Sequence, residues 1–339
     1  MIALRGHVIR KVELRTVRSY DSTLAYAPVY SPDGTTTLPL MLIADMDSES
    51  ADKSAKNTWL SPSKRGYLVF NLKSKYFSIH WYADYNYTFQ LSYGGRGMEL
   101  SDLKFFDGHL LAPDDRTGVI FKLTKDKVVP WVINSDGDGN VNKTFKTEWM
   151  AIKNDELYVG GYGKEWTDLN GNILNYNPMW IKVIDRFGAV KNVDWITEFR
   201  NLRASLGIYF PAYIISESCQ WSDVHKKWFF LPRRVSYQPY NDVADQFKGS
   251  NLLITADECF RNFSHVEVGK VHPTRGFSAF QFLPGTNDTV IIALKTEEVE
   301  SLPFATYVMI FAINGTIYLD ETKVPGAYKF EGLEFFNWL

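Results

Sequence analysis

Short segments rich in apolar, β-branched and aromatic residues recur along the whole chain, and turn-forming residues separate them. We predict that each segment is a β-strand, because branched and aromatic side chains fit the pleated surface of a sheet. Glycine, asparagine and proline occupy stretches between them, such as 170–172, 284–288 and 314–315, and these residues favour tight turns. The predicted strands are residues 40–44, 66–70, 119–123, 157–160, 226–231, 290–294 and 307–311.

One carboxylate stands out at the start of such a segment. Glu148 lies between two lysines and two large aromatic residues, and the alternating segment after it turns at residues 154–155. Strands begin where loops end, so Glu148 can project into a shared cavity while Trp149 and Leu157 pack below it. The alternative is a surface glutamate on an ordinary hairpin, which is the better interpretation for a lone residue.

A single segment has helical spacing. Trp195, Phe199, Leu202 and Leu206 follow at intervals of four, three and four residues, and Gly207 comes next. Because a glycine commonly closes a helix at its C-terminal end, we predict a helix here. One helix in a strand-rich chain favours an all-β fold with a helical excursion, and no linker rich in proline, glycine or serine divides the chain.

Composition places the chain among globular proteins. Of its 339 residues, 45% are hydrophobic and 22% are charged. No apolar run approaches the roughly 18 residues of a membrane-spanning helix, so no membrane span is predicted. Lysine and arginine number 37 against 39 acidic residues, a net charge of −2, which gives no electrostatic case for binding nucleic acid. Local basic residues would still suffice for a small ligand that carries phosphate.

Signals of secretion are mixed. Residues 1–18 are basic and lack an apolar core, so no signal peptide is predicted there. Cys219 and Cys259 allow one disulfide or none, and their spacing does not decide. N-glycosylation sequons favour a secreted protein only moderately, since some arise by chance. They begin at Asn86, Asn142, Asn262, Asn287 and Asn314.

A faint repeat places polar residues in similar aromatic and aliphatic contexts. The steps between them are 47, 69, 61 and 53 residues, which fit one polar residue per blade of a β-propeller, since a blade takes roughly 40 to 50 residues plus loops. Residues at matching positions of the innermost strands converge on the central channel. Carboxylates with hydroxyls or carbonyls form an all-oxygen site, which favours Ca²⁺ over Mg²⁺ because a wide ring tolerates the higher coordination number. The residues are Ser101, Glu148, Glu217, Ser278 and Glu331.

Ordered motifs across most of the chain carry a family resemblance. From about residue 39 to residue 335 the sequence resembles the calcium-activated nucleotidase family, the apyrase type of animal secretory compartments and of the saliva of blood feeders. The resemblance implies a five-bladed β-propeller with a central Ca²⁺, formed by residues 39–339 after an N-terminal lead-in of residues 1–38. The motifs are residues 44–47, 95–101, 114–118, 145–149, 163–166, 230–234, 276–278 and 331–335.

The same resemblance implies an activity and a set of site residues. The activity is hydrolysis of nucleoside di- and triphosphates to monophosphates and inorganic phosphate, in the secretory-pathway lumen or outside the cell, by a monomer or weak homodimer. The family's calcium ligands fall on Ser101, Glu148, Glu217, Ser278 and Glu331. Basic candidates to bind the phosphates are Arg96, Arg116, Lys146, Lys164 and Arg233. Candidates to orient or deprotonate the attacking water, or to ligate the metal through water, are Asp45, Glu99 and Asp115, with Arg116 assigned to the same catalytic group.

Other interpretations of these residues remain. Asp115 and Arg116 also fit a turn with an internal ion pair, and Asp45 fits a loop cap. Residues 136–147 resemble half of an EF-hand loop but lack its glycine and its final glutamate, so we predict a turn. Residues 160–165 lack P-loop spacing, and no zinc or serine-hydrolase motif is present. The alternative function is a non-catalytic propeller, stabilised by Ca²⁺, that binds a nucleotide or a protein.

Overall fold

The computed structural model describes residues 19–168, 170–300 and 302–337, so the prediction about residues 1–18 lies outside the described residues. The strands in chain order are β1 (Val29–Tyr30), β2 (Thr36–Ala44), β3 (Trp59–Asn71), β4 (Tyr76–Phe89), β5 (Lys104–Phe106), β6 (His109–Pro113), β7 (Val119–Leu123), β8 (Val128–Ile133), β9 (Trp149–Lys153), β10 (Glu156–Gly160), β11 (Trp166–Thr167), β12 (Ile173–Asn175), β13 (Trp180–Ile184), β14 (Val190–Asp194), β15 (Tyr213–Ile215), β16 (Cys219–Ser222), β17 (Lys227–Phe230), β18 (Arg234–Ser236), β19 (Leu252–Asp257), β20 (Phe263–Glu267), β21 (Arg275–Phe282), β22 (Val290–Glu297), β23 (Ala305–Ala312), β24 (Ile317–Lys323) and β25 (Phe330–Glu334). The helices are α1 (Ile196–Ala204) and α2 (Asp242–Asp245), with short 3-10 helices at Asp47–Ser50 and Asn177–Met179.

These strands form the five antiparallel blades of a β-propeller, which confirms the predicted fold class. From the inside outward, the blades are β25-β2-β3-β4, β5-β6-β7-β8, β9-β10-β13-β14, β16-β17-β19-β20 and β21-β22-β23-β24. The strand β25 pairs with β2, so the C-terminal part of the chain completes the first blade and closes the ring. Each inner strand also contacts the inner strands of both neighbouring blades.

Hydrophobic residues fill each gap between neighbouring blades. Side chains alternate along a strand, so Leu40 and Leu42 of β2 pack toward the last blade while Met41 and Ile43 pack toward the second. Similar clusters lie between the second and third, third and fourth, and fourth and fifth blades. Burial of a large apolar side chain contributes about 1.5–3 kcal/mol, so these five clusters hold the blades in place. The propeller therefore has a divided core around a polar channel.

The predicted local elements are present. The strands β9 and β10 form the expected hairpin, and Asn154 and Asp155 at its turn have φ angles of 54° and 60°. Positive φ at both central residues is what a two-residue hairpin turn requires, and asparagine and aspartate tolerate it. The predicted helix is α1, which buries Phe199 and Leu202 between the third and fourth blades. Gly207, with a φ of 70°, follows the end of this helix.

Two small ribbons lie outside the blades. One pairs β11 with β12, and the other pairs β15 with β18. The second ribbon matters for the site because β15 leads directly into the inner strand of the fourth blade. Neither α1 nor α2, the helices of the described ranges, has the length and apolar character that crossing a bilayer requires. Cys219 is buried and Cys259 is exposed, and both are free thiols.

Candidate active site

The five predicted metal-binding residues occupy equivalent places at the beginnings of the inner strands. Glu148 immediately precedes β9, Glu217 lies two residues before β16, and Ser101 lies three residues before β5. Ser278 and Glu331 lie within β21 and β25. We call these five residues the entrance ring. Four are at most 3% exposed, and the side chain of Glu217 is 13% exposed.

Strand bulges place two members of the entrance ring. The pairing of β21 with β22 skips Ser278, and the pairing of β25 with β2 skips Glu331. A bulged residue leaves the strict alternation of a strand, which lets its side chain point in a new direction. Just before the first bulge, a Cβ at Gly276 would lie 2.1 Å from the backbone oxygen of Arg233. Only glycine permits the close approach that brings Arg233 into the channel.

The two serines of the entrance ring bind the backbone beside two of its glutamates. Ser101 Oγ donates to the carbonyl of Thr147 at 2.6 Å, and Ser278 Oγ donates to the carbonyl of Phe330 at 2.9 Å. Each acceptor immediately precedes a glutamate of the next blade in the ring, Glu148 or Glu331. Each hydroxyl proton is therefore used in a hydrogen bond, and the two serines fix the backbone positions of Glu148 and Glu331.

Two basic side chains contact the three glutamates, Lys146 at Glu148 and Arg233 at both Glu217 and Glu331. Lys146 Nζ lies 2.7 Å from Glu148 Oε1. Arg233 Nη1 bonds both Glu217 and Glu331, the latter at 2.7 Å, and its Nη2 bonds Glu298. Burial raises the pKa of Glu148 to about 7, because it outweighs the opposing effect of the Lys146 ammonium group.

A second group of carboxylates lies beside the entrance ring. Oxygen atoms of Asp45, Glu99 and Asp115 lie within 4.8 Å of one another, and all three residues are buried. We call these residues the acidic triad. The Oδ1 atom of Asp115 is buried without a hydrogen-bond partner among the described residues. A buried, unpaired carboxylate oxygen is costly, which is typical of a group that binds a ligand.

Each member of the acidic triad also contacts a basic group. Lys329 Nζ lies 2.9 Å from Asp45 and also bonds Asp47. Arg96 binds Glu99 through Nε and Nη2, the Nε contact being 2.7 Å. Lys146 bonds Asp115 as well as Glu148, so it joins the triad to the entrance ring.

Acidic groups are in excess in this network, and burial raises the pKa of Glu99, Asp115, Glu148 and Glu331. Carboxylates outnumber basic groups by eight to four. The acids are Asp45, Asp47, Glu99, Asp115, Glu148, Glu217, Glu298 and Glu331, and the bases are Arg96, Lys146, Arg233 and Lys329. Carboxylate and carbonyl oxygens are the donors that Ca²⁺ prefers, and a divalent cation would offset part of the excess. The oxygen donors of the entrance ring are therefore chemically suited to calcium, while among the described residues the acidic triad is the group of carboxylates whose oxygens lie close enough together to share one ion.

The structure places two of the predicted residues apart from this network. Arg116 donates to the carbonyl of Tyr93 at 3.2 Å at the rim of the site. Lys164 donates to the carbonyl of Glu165 at 3.0 Å, and its ammonium group lies 4.2 Å from the centre of the Tyr240 ring. Neither side chain is among those that contact the entrance ring or the acidic triad.

Sequence reasoning missed Lys329, Glu298 and the site contacts of Asp47. A signal for Lys329 was present, since it lies two residues before Glu331 just as Lys146 lies two residues before Glu148. Residues two apart in an extended chain project to the same side, so a repeated lysine-x-glutamate pattern predicts two lysines beside two ligands. Glu298 directly follows the C-terminal end of β22, and no local sequence pattern indicates that it contacts the site.

Comparisons with known proteins agree with the resemblance seen in the sequence. The sequence model of the family described as Apyrase matches residues 45–336. The chain is 45% identical to soluble calcium-activated nucleotidase 1 of Mus musculus, over 96% of this chain and 80% of that protein. It is 43% identical to apyrase apy-1 of Caenorhabditis elegans, over 89% and 85%. It is 41% identical to an apyrase of Cimex lectularius, over 87% and 81%.

Proposed function

The chain belongs to the apyrase family, and we propose that it hydrolyses nucleoside di- and triphosphates to the monophosphate and inorganic phosphate. It is a nucleotide phosphohydrolase that depends on calcium. The observation that supports this substrate class is the channel entrance, where oxygen donors from all five blades lie beside basic groups able to contact phosphate. Nothing in the described residues favours the non-catalytic alternative.

The entrance ring is the proposed calcium site. Glu148, Glu217 and Glu331 would supply carboxylate oxygens, and Ser101 and Ser278 would supply further oxygens from the strands between them. When bound, Ca²⁺ supplies positive charge that attracts phosphate oxygens and offsets the charge of the transferred group. The serine hydrogen bonds to the backbone fix the spacing of the ligands before the ion arrives.

Basic groups of the network are the proposed phosphate contacts. Lys146 contacts both the acidic triad and the entrance ring, whereas Arg96 contacts the triad and Arg233 contacts the ring. Arginine can bind two phosphate oxygens at once, whereas lysine acts as a point charge. Arg116 and Lys164 lie farther out and would contact parts of the substrate beyond the terminal phosphate.

The acidic triad is proposed to position the attacking water. Burial raises the pKa of Asp115 well above its ordinary range, although Lys146 lowers it, and its Oδ1 is free to accept a hydrogen bond. A carboxylate whose pKa is raised is a stronger base than an ordinary aspartate, so Asp115 Oδ1 would accept the proton of the water. Asp45 and Glu99 would hold that water in line with the terminal phosphate.

The proposed setting is the secretory-pathway lumen or the outside of the cell. The Asn residues of all five sequons are exposed, as glycosylation would require. Lumenal enzymes of this type remove nucleoside diphosphates, whereas salivary ones remove extracellular ADP and ATP. We propose a monomer or weak homodimer as the working species.

Phosphate release tests the proposal. ADP, ATP, GDP and UDP are each incubated with Ca²⁺, with Mg²⁺ or with chelator. Turnover with Ca²⁺ alone is expected, and leading rates with UDP and GDP would indicate a lumenal role, while leading rates with ADP and ATP would indicate an extracellular one. Absence of turnover with every nucleotide, despite measurable Ca²⁺ binding, would overturn the proposal in favour of a binding propeller.

A further inference from the structure

Two lysines at the channel entrance occupy matching places in the third and first blades. Each lies two residues before a glutamate of the entrance ring, and each contacts both that glutamate and one aspartate of the acidic triad. For Lys146 the aspartate is Asp115, and for Lys329 it is Asp45. Matching contacts would predict matching roles, but the two lysines differ in exposure and in how they hold their aspartates.

Exposure separates the two lysines. The side chain of Lys146 is 46% exposed, so its ammonium group can meet a phosphate that enters the channel. The side chain of Lys329 is only 4% exposed, and its ammonium group also bonds the carboxylate of Asp47. Buried charges persist where opposite charges surround them. Lys329 is therefore enclosed by carboxylates of the protein and does not present its charge to the substrate.

Lys329 holds Asp45 through both its main chain and its side chain. The carbonyl of Lys329 accepts the amide of Asp45 at 3.0 Å, and Lys329 Nζ lies 2.9 Å from Asp45 Oδ2. The other carboxylate oxygen, Oδ1, accepts the amide of Asp47 at 2.7 Å. Because each of these bonds fixes a different atom, the carboxylate of Asp45 has little freedom to rotate. A carboxylate held in one orientation directs its remaining lone pairs at one point in the site.

Asp115 is held differently from Asp45. Lys146 bonds its Oδ2 atom, whereas its Oδ1 atom has no hydrogen-bond partner in the described ranges. Oxygen atoms of the two aspartates lie within 4.8 Å of each other, so one water molecule can contact both. The free oxygen of Asp115 suits the proposed proton acceptor, while the fixed carboxylate of Asp45 suits a group that orients the water.

We propose that Lys329 is a positioning residue for the hydrolysis, which fixes the carboxylate of Asp45 so that this carboxylate orients the attacking water. The inference rests on the proposed function and separates Lys329 from Lys146, which would contact phosphate. Loss of the Lys329 ammonium group would let the carboxylate of Asp45 turn away from the water. A misplacement of about 1 Å can lower a rate about 100-fold, although the substrate itself would lose no contact.

Comparison of kcat with KM tests this role. Lys329→Met keeps an unbranched side chain and loses the charge, and we expect its kcat for ADP in Ca²⁺ to fall about 30- to 100-fold. Its KM should stay within about threefold, because Lys329 does not contact the substrate. Calorimetry with the non-hydrolysable adenosine 5′-(α,β-methylene)diphosphate should likewise show affinity within about threefold. Lys329→Arg restores a positive charge and should raise kcat at least about tenfold above that of Lys329→Met.

Lys295→Met is the matched control. Lys295 is a buried lysine of β22 whose side chain is 0% exposed, and it lies 2.8 Å from Glu321 outside the site. Loss of either lysine leaves a buried carboxylate without its partner, so both variants should be less stable than the wild type. The kcat per folded molecule should stay at the wild-type value in Lys295→Met. Lys329→Gln, whose amide can still donate to a carboxylate, supplies the comparison if Lys329→Met does not fold.

A double-mutant cycle identifies the group through which Lys329 acts. Asp45→Ala alone should lower kcat about 100-fold, and addition of Lys329→Met should lower it less than about threefold further. Additive losses overturn the proposal, as does a wild-type kcat in Lys329→Met, an equal loss of kcat in Lys295→Met, or a parallel loss of affinity for the analogue. The proposed function fails by a different result, namely no phosphate release by a wild type that binds the analogue in Ca²⁺.

Discussion

The inner strands carry a second ring three residues beyond the entrance ring, and the two rings differ in how their polar groups are paired. We call this second set the floor ring. It borders a cavity of about 380 Å³ that residues 20–26 also line. The floor ring consists of Lys104, Ala151, Gln220, Gln281 and Glu334.

Floor-ring side chains connect the inner strands to one another, both between neighbouring blades and across the channel. Gln220 donates to a backbone carbonyl of β21 at 3.1 Å, and Gln281 donates to one of β25 at 3.0 Å. Glu334 accepts the amide of Phe105 at 3.1 Å, and Lys104 donates to Gln220 at 2.9 Å. An inner strand has an open edge toward the channel, and these bonds satisfy its unpaired backbone groups.

The entrance ring and its neighbours have the opposite character. Their carboxylates are buried in excess over basic groups, and Asp115 keeps one oxygen without a partner in the described part of the chain. Buried charge that is not fully paired lowers stability, so such an arrangement persists where it serves binding. Position along one inner strand therefore separates a proposed binding role at the entrance ring from a structural role at the floor ring, and substitutions in each ring test that separation.

Loss of an entrance-ring carboxylate should have the largest effect. We expect Glu148→Gln and Glu217→Gln each to lower kcat/KM at least about 100-fold, because each removes a proposed calcium ligand. Excess Ca²⁺ should partly restore the rate. Phosphate release over a calcium titration measures both effects.

The control for these variants is Glu258→Gln, which changes an exposed glutamate that pairs with Lys153 outside the site. It should leave the calcium dependence as in the wild type. Full activity of Glu148→Gln or Glu217→Gln in the presence of chelator would contradict the assignment of the entrance ring.

Removal of the proposed base should separate chemistry from calcium binding. We expect Asp115→Asn to lower kcat about 100-fold, because the amide cannot accept the proton of the water. Calcium affinity by calorimetry should stay within about threefold if the ion binds the entrance ring as proposed, because Asp115 is not one of the five proposed ligands. Asp138→Asn, at an exposed turn, is the control, and a matching loss of calcium binding in Asp115→Asn would show that Asp115 is itself a ligand.

Much of the fold was predictable because the strands repeat a local pattern. The hairpin after Glu148 and the helix at Phe199 and Leu202 follow from spacing and turn residues alone. Prediction of the entrance ring depended on the repeat of about one polar residue per blade and was strengthened by the family resemblance. Metal binding by the entrance ring stays a prediction, although the structure brings Glu217 and Glu331 to one shared basic partner, Arg233.

Other features depend on contacts that no local pattern records. The bulges at Ser278 and Glu331 arise from pairing with neighbouring strands, so the sequence of one strand does not reveal them. Glu298 reaches Arg233 across 65 residues. Lys164 was assigned to phosphate on charge alone, whereas the structure surrounds its ammonium group with tyrosine rings.

A floor-ring substitution should affect stability without affecting turnover. Gln220→Leu would leave the Lys104 ammonium group and the Phe280 carbonyl without their partner. We expect the free energy of unfolding to fall by about 1–3 kcal/mol, the usual cost of unpaired buried polar groups. Urea denaturation measures this loss, with exposed Gln90→Leu as the control. A decrease of more than about tenfold in kcat per folded molecule would show that the floor ring also affects turnover, which would contradict the distinction between the two rings.

The smallest expected effect is a change in the pH dependence of stability at Glu334. Burial raises the pKa of Glu334, although Lys104 and two backbone amides lower it. The folded chain therefore keeps a proton at pH values where the unfolded chain has released it. The contribution of Glu334 to the free energy of unfolding is therefore full at pH values below the ordinary glutamate pKa of about 4.3. That contribution is lost as the pH rises through the raised pKa of the folded state.

Glu334→Gln removes this titration and replaces it with an amide whose effect does not depend on pH. The free energy of unfolding of the wild type, minus that of the variant, should therefore decline as pH increases above about 4. Urea denaturation of both proteins over the same pH series measures the difference. A difference that is flat or that increases with pH would show that Glu334 is stabilised as a carboxylate, which would make the floor ring a second site of net negative charge and weaken its contrast with the entrance.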